Sequence, residues 1–196
     1  RLAAHILGGA SFGREGVHSA EVIGVAGVEK ALDATLRDPA RNGEPVQLTI
    51  DLTVQSAIRQ VLNGGMKLMN AKGATAVLME ITSGEVISMV SLPDFDPNDR
   101  PALPTTGDAG DSPLFNRAVQ GVYELGSVFK IFNMAMALQD NIVTPTSMVD
   151  TTGPMRWGRH SIRDYHNYGP QLSATDVIVK SSNVGSARLA LLAGGP

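Results

Sequence analysis

Gly126-Ser-Val-Phe-Lys-Ile-Phe-Asn-Met-Ala-Met-Ala-Leu-Gln139 is the stretch from which the rest of this chain is best read. Val128, Phe129, Ile131, Phe132, Met134, Ala135, Met136 and Leu138 cover nearly the whole circumference of a helix, the pattern of a central, buried one. Ser127 falls in its first turn, where unpaired backbone N–H groups and the macrodipole favour a developing negative charge. Lys130 follows three residues on, on the same face and within reach of the Ser127 hydroxyl. A serine needs a base to become a nucleophile, and a lysine serves if burial lowers its pKa. Phe129, Phe132 and Met134 supply apolar surroundings of that kind. An N-capping serine and a snorkelling lysine produce the same letters. With 14 Ser and 5 Lys in 196 residues, S-x-x-K arises by chance about 0.36 times, so its placement carries more than its spacing.

Working outward, residues 93–122 form the longest irregular stretch, because Pro93, Pro97, Pro101, Pro104 and Pro113 prevent a continuous element. A loop of that length in a compact domain is usually functional or mobile. Before it, Ala74 to Ile81 and Glu85 to Leu92 read as a β-hairpin across Thr82-Ser-Gly84, with Ala76-Val-Leu-Met79 apolar enough to be central. Val54, Ala57, Ile58, Val61 and Leu62 make one face of a helix capped by Asp51 or Thr53 and weakened at Gly64-Gly65. Val46 to Ile50 alternates like a strand, and Arg1 to Gly8 reads as the inside of another. A Gly-rich stretch, Gly8 to Gly16, is followed by Val25, Val28, Ala31, Leu32 and Leu36 near helical spacing. The turn cluster Asp38 to Pro45 then marks a domain boundary, giving units 1–45 and 46–196.

On the other side, Leu172-Ser-Ala-Thr-Asp-Val177 opens a helix, with Ser173 as N-cap, Asp176 at N3 and Leu172 stapled to Val177. It runs into Lys180-Ser-Ser-Asn-Val-Gly185 and a further apolar helix to Leu192. In Ser181-Ser-Asn183 a hydroxyl and an amide project from a tight turn; the hydroxyl can relay a proton and the amide can orient a carbonyl or the lysine. Turns rich in Ser and Asn are common at helix ends, so that motif by itself also has a purely structural reading.

Composition removes several classes. The chain has no Cys, which excludes disulfides, Cys-ligated zinc and a Cys nucleophile. Its net charge of −3 argues against nucleic acid or an anionic membrane surface as main partner. No run of 18 apolar residues is present to span a bilayer. His160 and His166, with Arg156, Arg159, Arg163 and Trp157, fit a short charged hairpin better than a metal set, and no metal or other cofactor is expected. The scattered Met66, Met69, Met79, Met89, Met134 and Met136 fit core filler.

S-x-x-K followed 54 residues later by S-x-N, each at a helix junction, resembles the serine-type penicillin-recognising enzymes. Leu92-Pro-Asp-Phe-Asp-Pro-Asn98, Asn116-Arg-Ala118, Tyr123-Glu-Leu-Gly-Ser-Val-Phe-Lys130 and Lys180-Ser-Ser-Asn-Val-Gly185 together resemble a class B penicillin-binding protein. Ala4-His-Ile-Leu-Gly8 and Gly27-Val-Glu-Lys-Ala-Leu-Asp33 are similar to the non-catalytic module that precedes that family's transpeptidase domain. Asp96-Pro-Asn-Asp-Arg100 and Ile162-Arg-Asp-Tyr-His166 lean toward the division-specific, septal type. The family often has Pro where Leu125 stands and Thr where Val128 stands; neither change removes a reacting group.

The resemblance implies an α/β (α+β) fold: part of a penicillin-binding-protein or serine β-lactamase-like transpeptidase domain, its N-terminal hairpin packed on the Ser127 helix, preceded by part of the N-terminal module. It implies a peptidoglycan D,D-transpeptidase with Ser127 as nucleophile, Lys130 as base, Ser181 as relay hydroxyl and Asn183 as positioning amide. Peptidoglycan stem peptides and β-lactams are the implied ligands. A septal glycosyltransferase and other division proteins are the implied partners. The periplasmic face of the inner membrane is the implied location, through an anchor outside this chain. The family's Lys-Thr/Ser-Gly motif does not occur in these 196 residues. The expectation is therefore a fragment that is inactive alone, with an unpaired sheet edge, from a parent that is an enzyme. A β-lactam-hydrolysing or -sensing relative, and a non-catalytic division scaffold, are the alternative readings.

Overall fold

A computed structural model of the chain describes residues 2–12 and 22–195, so the Gly-rich stretch from Gly8 is described only as far as Phe12. The elements are α1 (Ala4–Leu7), β1 (Gly9–Phe12), β2 (Val22–Ala26), α2 (Gly27–Ala31), α3 (Asp33–Leu36), α4 (Leu52–Leu68), β3 (Ala74–Met79), β4 (Val86–Leu92), α5 (Lys130–Gln139), β5 (Met148–Asp150), β6 (Met155–Trp157), β7 (His160–Ile162), β8 (Gln171–Ser173), α6 (Ala174–Val179) and α7 (Asn183–Leu192). They fall into two compact units, Arg1–Val122 and Tyr123–Pro196. The fold is mixed α/β.

In the first unit α4 lies against the β3–β4 hairpin. Asp51 starts the helix, its Oδ1 accepting from the N–H groups of Thr53 (2.8 Å) and Val54 (3.0 Å). Gly64-Gly65 does not end it; the helix continues to Leu68. The apolar side of β4 is buried at Val90 and Leu92. At Met89 its free edge is met by a side chain. Gln55, 2 % exposed, donates from Nε2 to Met89 O (2.7 Å) and Leu2 O (2.8 Å). Its Oε1 accepts from Met89 N (2.9 Å) and Ser88 Oγ (2.6 Å). The amide thus gives Met89 the donor and acceptor that a neighbouring strand would give, and every polar atom of Gln55 is satisfied. Asp94 and Arg59 form a two-pronged ion pair (2.6 and 3.1 Å) that ties the start of the long loop to α4.

Several sequence expectations change in this unit. Residues 4–7 form a helical turn rather than a strand, closed where Gly8 N donates to Ala4 O and Gly8 takes a φ of +83°. Val25 sits in a strand: Val22 and Ile23 pair with β1, Val25 is the extra residue of a bulge between the Gly24 and Ala26 pairs, and the chain turns helical from Gly27, at φ +59°. Val46 to Ile50 is extended but forms no ladder; Thr49 Oγ1 donates to Val86 O (2.7 Å) and Asp51 N to Ile87 O (2.9 Å). Val77, Leu78 and Met79 are exposed, because β3 pairs with β4 alone among the described strands and is an edge rather than a centre.

In the second unit Ser173 caps α6 as its spacing predicts. Its Oγ accepts from Asp176 N (3.0 Å) and donates to the Asp176 carboxylate (2.8 Å). Leu172 and Val177 are buried together with Met134, Ala137, Val143, Val149, Ala174 and Leu189. β5 pairs antiparallel with β8, and β6 with β7 in the charged hairpin. The expectation of a helix buried on all sides fails for α5. Only Met134 and Ala137 are buried, while Ile131 and Phe132 are about half exposed. Within the unit α5 packs on α6 and α7, so one face finds partners and the others do not. Met69, Met79 and Met136 are likewise exposed rather than core filler.

Candidate active site

Gly126 takes a left-handed φ of +57°, and the residues after it, Gly126–Phe129, wind as a 3-10 turn before α5 begins at Lys130. With three residues per turn, Ser127 and Lys130 stand on the same side of that junction. Ser127 is exposed, and among the described residues its hydroxyl has no hydrogen-bond partner. Lys130 does not reach back to it; the ammonium is held elsewhere.

Its Nζ donates to Ser181 O (2.6 Å), Ser181 Oγ (2.9 Å) and Asn183 Oδ1 (2.6 Å). These three bonds use the whole donor inventory of an ammonium. They also gather three of the four expected site residues across more than fifty positions of sequence. Burial lowers the Lys130 pKa from the usual lysine value, and the Asp164 carboxylate partly opposes that.

The turn that presents Ser181 and Asn183 is built for close approach. Ser181 adopts φ +53°, which aims both its carbonyl and its hydroxyl at Lys130. Ser182 is fully buried and caps α7, its Oγ accepting from Gly185 N (2.9 Å). The Asn183 amide is oriented by Nδ2 donating to Arg163 O (2.7 Å), which leaves Oδ1 for the lysine. Gly185 lets α7 settle on α6: a Cβ there would lie 2.7 Å from Val177 Cγ2.

One residue of this cluster carries no signal in the motif spacing. Asp164, on the loop after β7, accepts from Ser182 Oγ (2.8 Å) and Val184 N (2.9 Å). Its place in Ile162-Arg-Asp-Tyr-His166, a stretch marked only as a subtype feature, was the sole hint. His160 stands on the exposed hairpin, and His166 packs edge-on between Tyr165 (4.6 Å) and Tyr168 (6.1 Å). Among the described residues no group of three or more His, Asp or Glu gathers to hold a metal.

Residues 74–195 match the family described as the penicillin binding protein transpeptidase domain. The chain belongs to the penicillin-binding protein transpeptidase family. Among curated members, the probable peptidoglycan D,D-transpeptidase FtsI of Caulobacter vibrioides is 37% identical over 194 residues, covering 98% of this chain and 31% of that protein. The peptidoglycan D,D-transpeptidase FtsI of Escherichia coli K12 is 34% identical over 144 residues, covering 74% of this chain and 23% of its own length. The chain therefore spans about a third or less of these relatives. Among solved structures, the TP domain of penicillin-binding protein 3 from Burkholderia pseudomallei superposes with a TM-score of 0.59 at 27% identity, over 74% of this chain and 38% of that one. These matches support a septal, class B member of the penicillin-binding protein family.

Proposed function

We propose that the protein carrying this chain is a serine D,D-transpeptidase of septal peptidoglycan, with Ser127 as nucleophile and Lys130 as its base. The observation that carries the proposal is the three-bond seat of Lys130 on Ser181 and Asn183, which joins S-x-x-K to S-x-N, with the exposed Ser127 three residues before Lys130. In the first step the Ser127 oxygen bonds to the carbonyl carbon of the penultimate D-Ala, and its proton passes to neutral Lys130. The C–N bond then breaks, and the Ser181 hydroxyl relays a proton to the departing D-Ala amine. In the second step an amine of a neighbouring strand bonds to the ester carbonyl carbon, the bond from that carbon to Ser127 Oγ breaks, and the proton the amine sheds passes through Lys130 to Ser127. Asn183 holds the lysine and the substrate backbone. A β-lactam acylates Ser127 by the same first step, its ring nitrogen taking the place of the leaving amine.

On this reading residues 46–196 are the N-terminal part of the transpeptidase domain, which the family match supports over residues 74–195, and residues 1–45 belong to the preceding non-catalytic module. Stem peptides are the substrate, a septal glycosyltransferase and other division proteins the partners, and the periplasmic face of the inner membrane the site of action. No helix among the described residues is long and apolar enough to cross a membrane. Release of D-alanine from a D-Ala-D-Ala pentapeptide by the full-length protein tests the proposal. Ser127→Ala is expected to lower the rate by at least about 10³-fold, as removal of a nucleophile does; retention of the wild-type rate would overturn it.

A further inference from the structure

The groups that hold Lys130 are themselves held, and by one carboxylate. Asp164 Oδ2 accepts from Ser182 Oγ (2.8 Å) and Oδ1 from Val184 N (2.9 Å), so both oxygens grip the start of α7 on either side of Asn183. The residue before it, Arg163, accepts the Asn183 Nδ2 bond on its carbonyl (2.7 Å). The loop after β7 therefore fixes three consecutive residues, Ser182, Asn183 and Val184, from outside their own helix. Ser181 precedes them in a left-handed conformation that L side chains rarely adopt, at φ +53°. A turn in that state persists only when its surroundings hold it.

We propose that Asp164 is a positioning residue of the site: by clamping Ser182 and Val184 it holds Ser181 and Asn183 at hydrogen-bond distance from Lys130. This rests on the reading of Ser127 and Lys130 given above. A carboxylate at the first turn of the ten-residue α7 also suits the partial positive charge there.

The same carboxylate acts on Lys130 through space, in a direction opposite to burial. It is the charge on the neighbouring elements that does so. Arg163 turns its guanidinium to Ser161 Oγ (3.4 Å), and Lys180 lies over the Tyr168 ring (5.7 Å to its centre). Asp176 is engaged by Ser173, and Arg188 pairs with Asp150 (3.2 Å). Removing the Asp164 charge thus moves the Lys130 pKa further down, and the free amine appears at lower pH.

The test is the second-order rate of acylation by benzylpenicillin, measured against pH on the full-length protein, with thermal unfolding to check that each variant folds. Asp164→Asn keeps the shape and loses the charge. It is expected to slow acylation by about 10²-fold, the scale of a roughly 1 Å misplacement, and to move the acid limb of the profile to lower pH. Asp164→Glu keeps the charge one methylene out of place and is expected to slow acylation with its limb where the wild type has it. If Asp164→Asn does not fold, the Glu variant decides: a wild-type rate there overturns the inference. Wild-type rate and limb in Asp164→Asn, or a slower rate with an unmoved limb, also overturn it, the latter because a merely structural residue would behave so. Wild-type protein that does not acylate, or Ser127→Ala that still does, overturns the underlying reading and this inference with it.

Discussion

Lys130 shows how much a single side chain draws from its neighbours. Three acceptors surround its nitrogen, each supplied by the S-x-N turn, while burial works against its charge. Spacing alone did not nominate it with Ser127, Ser181 and Asn183; the placement of the serine–lysine pair at a helix start, and the order of S-x-x-K and S-x-N that resembles a known family, did. Spacing could not give Asp164, since nothing local distinguishes a loop carboxylate that clamps a distant turn from one that faces water. His5 makes the same point in the first unit. Its Nε2 donates to Pro113 O (2.7 Å) and its ring meets Phe95 edge-on at 5.1 Å. Burial lowers its pKa from 6.5. The folded state then prefers neutral His5, so its contribution to stability is complete above pH 6.5 and is lost as pH falls from there through the lowered folded value. Thermal unfolding between pH 7 and pH 5 should show a falling midpoint that flattens in His5→Gln; an unchanged slope in the variant would contradict this.

At the scale of elements, the helix junctions decide the geometry of the site. The 3-10 turn from Gly126 places Ser127 one tight turn ahead of Lys130, and the cap at Ser182 starts α7 where Asn183 can reach back. The α6–α7 contact sets how close that start lies to the rest. Gly185→Ala pushes a methyl to 2.7 Å from Val177 Cγ2, inside a packed core, and should cost about 1–3 kcal/mol in urea unfolding. Gly64→Ala, in open space within α4, should instead stabilise by about 1 kcal/mol. Equal effects at the two positions would show that the α6–α7 contact is loose. Elements with strong local signals were legible: the capped α4 and α6, the β3–β4 hairpin and the charged β6–β7 hairpin all follow from caps, turns and alternation. Short pieces were not. Ala4–Leu7 and Val25 took the opposite state to the one their apolar spacing predicts, with Gly8 and Gly27 turning the backbone at positive φ just beyond them.

At the scale of the whole chain, two compact units carry different parts of the account. The first holds α4 and the hairpin, knit by Gln55 and the Arg59–Asp94 pair; the second holds every expected site residue. Apolar periodicity told which faces could be buried and not which would be, and so the exposed sides of α5 and β3 were misjudged. The order of motifs along the chain carried the family more securely than any single element did, since S-x-x-K and S-x-N converge only if the intervening chain folds back as it does. The central claim is that this convergence makes Ser127 a nucleophile. Mass spectrometry of the full-length protein after incubation with benzylpenicillin, followed by peptide mapping, tests it most directly. The account expects one covalent adduct, carried on Ser127 and lost in Lys130→Met; an adduct on another residue, or none, would contradict it.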